Sequence, residues 1–222
     1  VSEVEQNFEV AVLGAGPAGS AVAGWLAGRG HRVVVIEREA FPRFKIGESL
    51  LPNSNRLLQE LGVWEAVARA GFVRKVAAEF TDSRRQVRYR NVFATGLLPG
   101  LEGTYQVERG EFDRILRDHA LAQGAVVLQP CRAETVQAEG DGWVLTTSGS
   151  GTAPSRLRAR WIIDATGREA WFGRQLGLPR ERFPYPSRFA VFTHYENAPR
   201  ASGPEGGDII VTRTEDGWFW WI

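Results

Sequence analysis

The chain has 222 residues, enough for one large domain or two modest ones with a substantial core. Its 27 basic and 26 acidic side chains leave a net charge of +1, which excludes the electrostatic footprint of a nucleic-acid or anionic-membrane binder. One cysteine, Cys131, excludes an internal disulfide, suits a reducing, cytoplasmic setting and reads as a small buried hydrophobe. No apolar stretch is long enough for a transmembrane segment, and none resembles a secretory leader.

Phe8, Val10, Ala11, Val12 and Leu13 form a nearly continuous apolar run, as expected of a strand buried on both faces. Gly14-Ala-Gly16-Pro-Ala-Gly19 follows at once. Ala18, Ala21, Val22, Trp25 and Leu26 then recur at helical spacing until Gly28 and Gly30, and Val33-Val-Val-Ile36 leads into Glu37. Strand, glycine turn, helix, strand and acid give the full context of a dinucleotide-binding fingerprint. Gly14 turns the chain out of the strand, Gly16 leaves room for a pyrophosphate, and Gly19 lets the helix approach the sheet. The helix start at Pro17 and Ala18 turns free N–H groups and a positive dipole toward phosphate. Glu37 suits the two ribose hydroxyls of an adenosine and disfavours a 2′-phosphate, which argues against NADP.

Residues 38–52 lack periodicity and read as a loop, with Phe41-Pro42 at its start, Gly47-Glu48-Ser49 in its middle and Pro52 closing it. Asn53 is placed to cap a helix over 54–61 that Gly62 ends, and a helix over 63–70 ends at Gly71. Leu57, Leu58, Leu61, Trp64 and Val67 are their expected buried faces. Strands over 76–81 and 86–92 then flank a polar turn at Asp82-Ser-Arg-Arg85. A loop over 96–103 and a short strand over 104–107 precede a helix over 111–122. Phe112, Ile115, Leu116, His119 and Ala120 give that helix one apolar face, on which His119 reads as a packed side chain. Strands over 126–128, 133–138, 143–147 and 157–165 follow, with a turn over 148–155, and the last runs into Asp164-Ala-Thr-Gly167-Arg168. The pattern predicts an α/β fold: a Rossmann-like GxGxxG domain (1–72 and 103–172) interleaved with a β-rich substrate domain (73–102 and 173–222). The sequence has no methionine, even at its first position, and ends on the bare aromatic run Trp218-Phe-Trp-Trp-Ile222; both features suggest a chain truncated at each end.

Gly14 to Gly19, Glu37, the run Pro42-Arg-Phe-Lys-Ile-Gly-Glu-Ser-Leu-Leu-Pro52, Arg109-Gly-Glu-Phe-Asp113-Arg and Asp164-Ala-Thr-Gly167-Arg168 carry a resemblance. Together they resemble the FAD-dependent monooxygenase superfamily with the hydroxybenzoate-hydroxylase-like fold. Within it the chain is most similar to flavin-dependent halogenases of the phenol and pyrrole type. The Arg-Phe-Lys-Ile-Gly-Glu-Ser loop narrows it that far, as does Trp218-Phe-Trp220-Trp-Ile222, which matches W-x-W-x-I-P without its proline. The resemblance covers nearly the whole chain but about the first half of the family's usual length. A second flavin-binding segment and the catalytic glutamate of the tryptophan-specific branch would fall beyond Ile222.

The resemblance implies FAD, delivered reduced by a separate flavin reductase, with O2 and chloride or bromide as co-substrates. Hypohalous acid then travels through an internal passage to a lysine, which forms a haloamine or donates a hydrogen bond. The substrate implied is an aromatic small molecule, free or tethered to a carrier protein. Lys75 matches that lysine, and desolvation would make its amine a nucleophile; the alternative is a solvated charge at a strand start. Arg38, Lys45, Gly47, Glu48 and Ser49 fall in the flavin-side loop, with Lys45 as a positioning residue. Gln106 and Arg109 are expected at the cofactor, Arg109 through charge-assisted bonds, with a salt bridge to Glu108 or Glu111 as the alternative. Asp164 and Gly167 match the second flavin-contact turn. Trp218, Trp220 and Ile222 share one strand face and are expected to wall the passage against the organic substrate; a sheet-core face is the alternative, and the two do not exclude each other. No metal ligand is assigned. A flavin hydroxylase or geranylgeranyl-reductase-like oxidoreductase, which turns over NAD(P)H itself, and a non-catalytic nucleotide-binding module are the competing readings.

Overall fold

A computed structural model describes residues 6–96, 99–149, 154–181, 183–185 and 187–222. Parts of the expected loop over 96–103 and turn over 148–155 lie outside the described residues. The chain opens with β1 (Gln6–Leu13), α1 (Pro17–Ala27) and β2 (Val33–Ile36), then α2 (Asn53–Glu60) and α3 (Trp64–Arg69). Next come β3 (Val73–Lys75), β4 (Ala77–Asp82), β5 (Val87–Val92), β6 (Thr104–Gln106) and α4 (Arg109–Ala122). The remainder is β7 (Val126–Leu128), β8 (Cys131–Glu139), β9 (Gly142–Gly149), β10 (Arg156–Asp164), α5 (Trp171–Gln175), β11 (Ile209–Arg213) and β12 (Trp218–Trp221).

Six strands form one mixed sheet in the order β7-β2-β1-β10-β9-β8. Its first four are parallel and the β10-β9-β8 edge is antiparallel. The run from Val10 to Leu13 is buried because both faces are covered. Val10, Val12, Val33 and Val35 meet Ala23, Ala27 and Ala120 of α1 and α4 on one side. Ala11, Leu13, Val34 and Ile36 meet Cys131, Leu145 and Leu157 on the other. Small residues let the two helices approach: an added Cβ on Gly24 would lie 3.1 Å from the His119 ring. His119 is thus a packing side chain, and burial pushes its pKa down. Burial likewise raises the Cys131 thiol, against a smaller opposing effect of its hydrogen bond with Thr147.

A second sheet has the order β12-β11-β4-β5, with β11 parallel to β4 and antiparallel to β12. β3 and β6 form a separate antiparallel pair, Lys75 opposite Thr104.

Three local expectations need correction. Asn53 makes no capping hydrogen bond; α2 starts from Pro52, and the Asn53 side chain is not its cap. Leu57 is 52% exposed, because the buried stripe of α2 runs through Asn55 and Leu58. The strand expected over 76–81 is β4, but the chain ahead of it, expected as no strand, forms β3, which pairs with β6 and is separated from β4 by a break at Val76.

Candidate functional site

The glycine turn behaves as its spacing requires. Gly14 sits at φ +96°, and an added Cβ on Gly19 would lie 1.8 Å from the Gly14 carbonyl oxygen. Helix and strand therefore meet backbone to backbone. At Gly16 a Cβ would meet nothing nearer than Arg43 Nη2 at 3.8 Å, so a hollow remains at the mouth of α1. That mouth carries Pro17 at its first turn, no capping side chain and no acid. Among the described residues, the first-turn N–H groups around the exposed Ala18 have no side-chain cap. This open, positively polarised cradle fits a pyrophosphate.

Glu37, at the end of β2, is buried and turned toward the glycine turn. Its Oε2 accepts from the Ala15 N–H at 2.8 Å and its Oε1 from the Glu39 N–H at 2.8 Å. A carboxylate has about four acceptor sites, so capacity for ribose hydroxyls remains. Arg38 pairs with Glu169 at 2.6 Å, joining the end of β2 to the turn after β10. In that turn Asp164 accepts from the Thr166 and Phe172 N–H groups, which fixes α5, and Gly167 adopts φ +66°.

The loop over 38–52 is held by one buried acid that sequence reading left without a role. Asp113, fully buried on α4, accepts from Arg43 at 2.6 Å through one oxygen and from Arg109 Nε at 2.8 Å through the other. Arg109 Nη1 also donates to the Ile46 carbonyl at 2.8 Å, and a Cβ on Gly47 would press on the same nitrogen at 3.0 Å. The partner of Arg109 is therefore Asp113, one turn along its own helix, and neither Glu108 nor Glu111. Lys45 reaches Glu39 at 3.0 Å, and the Gly47 N–H donates to Glu48 at 2.8 Å.

Lys75 is 1% exposed, which overturns the solvated-charge alternative. Its neighbours come from three elements. β6 runs between β3 and the 48–50 segment: Val107 donates to the Glu48 carbonyl at 2.8 Å, Leu50 donates to the Tyr105 carbonyl at 3.2 Å, and Ser49 bridges Gln106. The Lys75 Nζ crosses that strip to donate to Ser49 Oγ at 2.7 Å and to the Leu50 carbonyl at 3.0 Å. It also lies 5.4 Å from the centre of the Phe93 ring. Burial lowers its pKa from 10.5 to about 8, with Asp208 opposing the fall. Lys75 and Ser49 are thus brought together, and the amine ends on the same loop as Gly47 and Glu48. A sequence signal was available: of 27 basic side chains only Lys45 and Lys75 are lysine.

Gln106 Nε2 donates to the Gly207 carbonyl at 2.9 Å, and among the described residues its buried Oε1 has no partner. Trp218 and Trp220 lie on β12, an edge strand, and are 46% and 55% exposed; Ile222 just beyond is 47% exposed. They are not sheet core. Arg188 lies over the Trp218 ring at 5.2 Å.

Cradle, acid and second turn define an FAD-binding fold, and the chain belongs to the FAD binding domain family, whose model matches residues 7–217. Over most of its length it is homologous to flavin-dependent halogenases. It is 34% identical to the 1H-pyrrole-2-carbonyl-[peptidyl-carrier protein] chlorinase of Pseudomonas fluorescens, covering 93% of this chain and 49% of that protein. Identity to the corresponding brominase of Pseudoalteromonas luteoviolacea is 28%, over 98% of this chain and 52% of the brominase. Among solved structures, a flavoprotein/dehydrogenase from Cytophaga hutchinsonii aligns with a TM-score of 0.85 at 33% identity, over 97% of this chain and 52% of the other. The myxobacterial chondrochloren halogenase aligns with a TM-score of 0.75 at 30% identity, over 97% and 49%. The chain spans about half the length of the curated relatives it matches. Among the described residues no helix is long and apolar enough to cross a membrane.

Proposed function

We propose that this chain forms the flavin and lysine half of a flavin-dependent halogenase, with residues 1–72 and 103–172 as the FAD-binding domain and 73–102 and 173–222 as part of the substrate domain. The observation that carries this reading is the buried Lys75 amine tethered to Ser49, at the far end of the loop that starts at Glu37. Reduced FAD, when bound, supplies the two electrons that with O2 and halide yield hypohalous acid.

Gly14, Gly16, Pro17, Ala18 and Gly19 hold the pyrophosphate at the mouth of α1, and Glu37 takes the ribose. Arg38, Lys45, Gly47, Glu48, Gln106, Arg109, Asp164 and Gly167 shape the rest of the flavin side. An amine titrating near 8 is partly neutral at neutral pH, so Lys75 Nζ can attack the halogen of the acid. An N–X bond forms, the O–X bond breaks, and the amine proton leaves with hydroxide as water. Transfer of X⁺ to an electron-rich ring, with loss of a ring proton, restores the amine. As the ammonium, the same nitrogen instead donates to the oxidant's oxygen and polarises the O–X bond. Trp218, Trp220 and Ile222 would wall the passage and keep the organic substrate off the flavin. A pyrrole on a carrier protein, the substrate named for two relatives, is the first substrate class to try, with chloride and bromide as halides.

The test is turnover of the complete gene product with FAD, a separate flavin reductase, halide and a panel of aromatics. Halogenated product that requires halide and the external reductase is expected. Hydroxylated product, or direct oxidation of NAD(P)H by the protein alone, would favour the hydroxylase or reductase reading and overturn this one.

A further inference from the structure

Asp208 stands immediately behind Lys75, although it lies 132 residues from Val76 in the chain. The ladder breaks between β3 and β4, and both N–H groups of the break turn to one oxygen. Val76 donates to Asp208 Oδ1 at 3.2 Å and Ala77 at 2.7 Å. The other oxygen accepts from Arg90 Nε and Nη2 at 2.9 and 2.6 Å. The preceding residue fits as closely. A Cβ on Gly207 would lie 1.8 Å from the Arg74 carbonyl oxygen, so only glycine allows the segment to back onto β3. The Gly207 carbonyl in turn takes the Gln106 amide. The Lys75 backbone is therefore gripped from both neighbours.

We propose that Asp208 is a positioning residue for Lys75: it fixes the strand break that aims the amine at Ser49, and its charge favours the ammonium form of that buried amine. This rests on the reading of Lys75 as the halogen-handling amine. Asp208 is the acid whose charge acts on the amine, although its two oxygens are held by the Val76 and Ala77 N–H groups and by Arg90. The 48–50 segment presents the Ser49 hydroxyl and the Leu50 carbonyl, while Glu48 accepts from the Gly47 N–H. β6 presents Thr104, whose hydroxyl donates to Asn55, and the turn after β5 presents the Phe93 ring. On β4 the Glu79 carboxylate is taken by Arg88 at 2.6 Å. Behind Asp208 stands Arg90, which Glu205 approaches at 3.7 Å. Burial disfavours the ammonium and an adjacent carboxylate favours it, so the two act in opposite directions on one group.

Because the chain holds two lysines, lysine labelled with carbon-13 at Cε gives two resonances, and Lys75→Arg assigns them. In the unaltered chain the Lys75 signal is expected to titrate near 8. Asp208→Asn should move that midpoint acidward by about one pH unit, and Asp208→Glu should hold most of it in place. Arg90→Gln, which leaves the Asp208 bonds to Val76 and Ala77 intact, should move it alkaline. A folded Asp208→Asn chain, judged by its thermal transition, with an unmoved Lys75 midpoint overturns the proposal. If Asp208→Asn does not fold, an unmoved midpoint in Arg90→Gln overturns it equally. Halogenation provides a separate reading: in the complete gene product the pH limb of product formation should move acidward with Asp208→Asn. A resonance shift in a protein that makes no halogenated product would sink the proposed function and leave the Asp208–Lys75 coupling standing.

Discussion

The Lys75 ammonium donates to the Ser49 hydroxyl at 2.7 Å, joining β3 to the loop that leaves the nucleotide fingerprint. Ser49→Ala removes one of two acceptors from a buried charge. A hydrogen bond to a charged group is worth about 1.5–3 kcal/mol, so denaturant unfolding at pH 7 should show a loss of that order. A loss below about 0.5 kcal/mol would mean that Ser49 does not hold the amine.

Stability should rise with pH in the alkaline range because of Lys75. Its folded pKa of about 8 lies below the ordinary 10.5, so the unfolded chain binds more protons between these values. The cost of burying the ammonium is fully present below pH 8 and is relieved as pH rises toward 10.5, by about 3 kcal/mol in all. Lys75→Met removes the titrating group, so unfolding free energy followed from pH 7.5 to 10.5 should lose this rise and start higher at pH 7. A rise of equal size in Lys75→Met would assign the effect elsewhere.

Gly16 and Gly19 should separate binding from folding. Gly16 has open space at its Cβ position, so Gly16→Ala should fold normally and lose roughly tenfold or more in FAD affinity by fluorescence titration. Gly19→Ala forces a methyl onto the Gly14 carbonyl, and an overpacking cost of about 3 kcal/mol should lower the Tm. Equal FAD affinity in Gly16→Ala would place the pyrophosphate elsewhere.

Asp113→Asn should be among the more damaging single changes. It leaves Arg43 and Arg109, both largely buried, without their shared carboxylate, at a cost of about 3 kcal/mol. Urea denaturation checks the magnitude, and limited proteolysis within 38–52 checks that the loop is what loosens.

The nucleotide half of the fold was legible because its signals are local. The apolar runs of β1 and β2 and the spacing of Gly14, Gly16 and Gly19 each report on residues within one turn or strand. Lys75 was found through its resemblance to a family motif; its burial was not readable, since the covering groups, Ser49, Leu50 and Phe93, come from separate segments. Asp208 carried no signal at all: a lone acid after two glycines acquires meaning only when β11 pairs beside β4. Arg109 is expected at the cofactor, with Glu108 or Glu111 as alternative partners, whereas helical geometry pairs it with the i+4 acid, Asp113. Leu57 shows the same limit, for α2 presents Asn55 inward, where its amide donates to the Gly103 carbonyl at 2.7 Å.

The most direct measurement is product analysis by mass spectrometry on the complete gene product and its Lys75→Ala variant, each supplied with FAD, a flavin reductase, halide and a carrier-tethered pyrrole or free phenol. The variant should bind FAD and release hypohalous acid, trapped by an added scavenger, while giving no halogenated aromatic. Normal yield of halogenated product from Lys75→Ala would contradict the assignment of the buried amine.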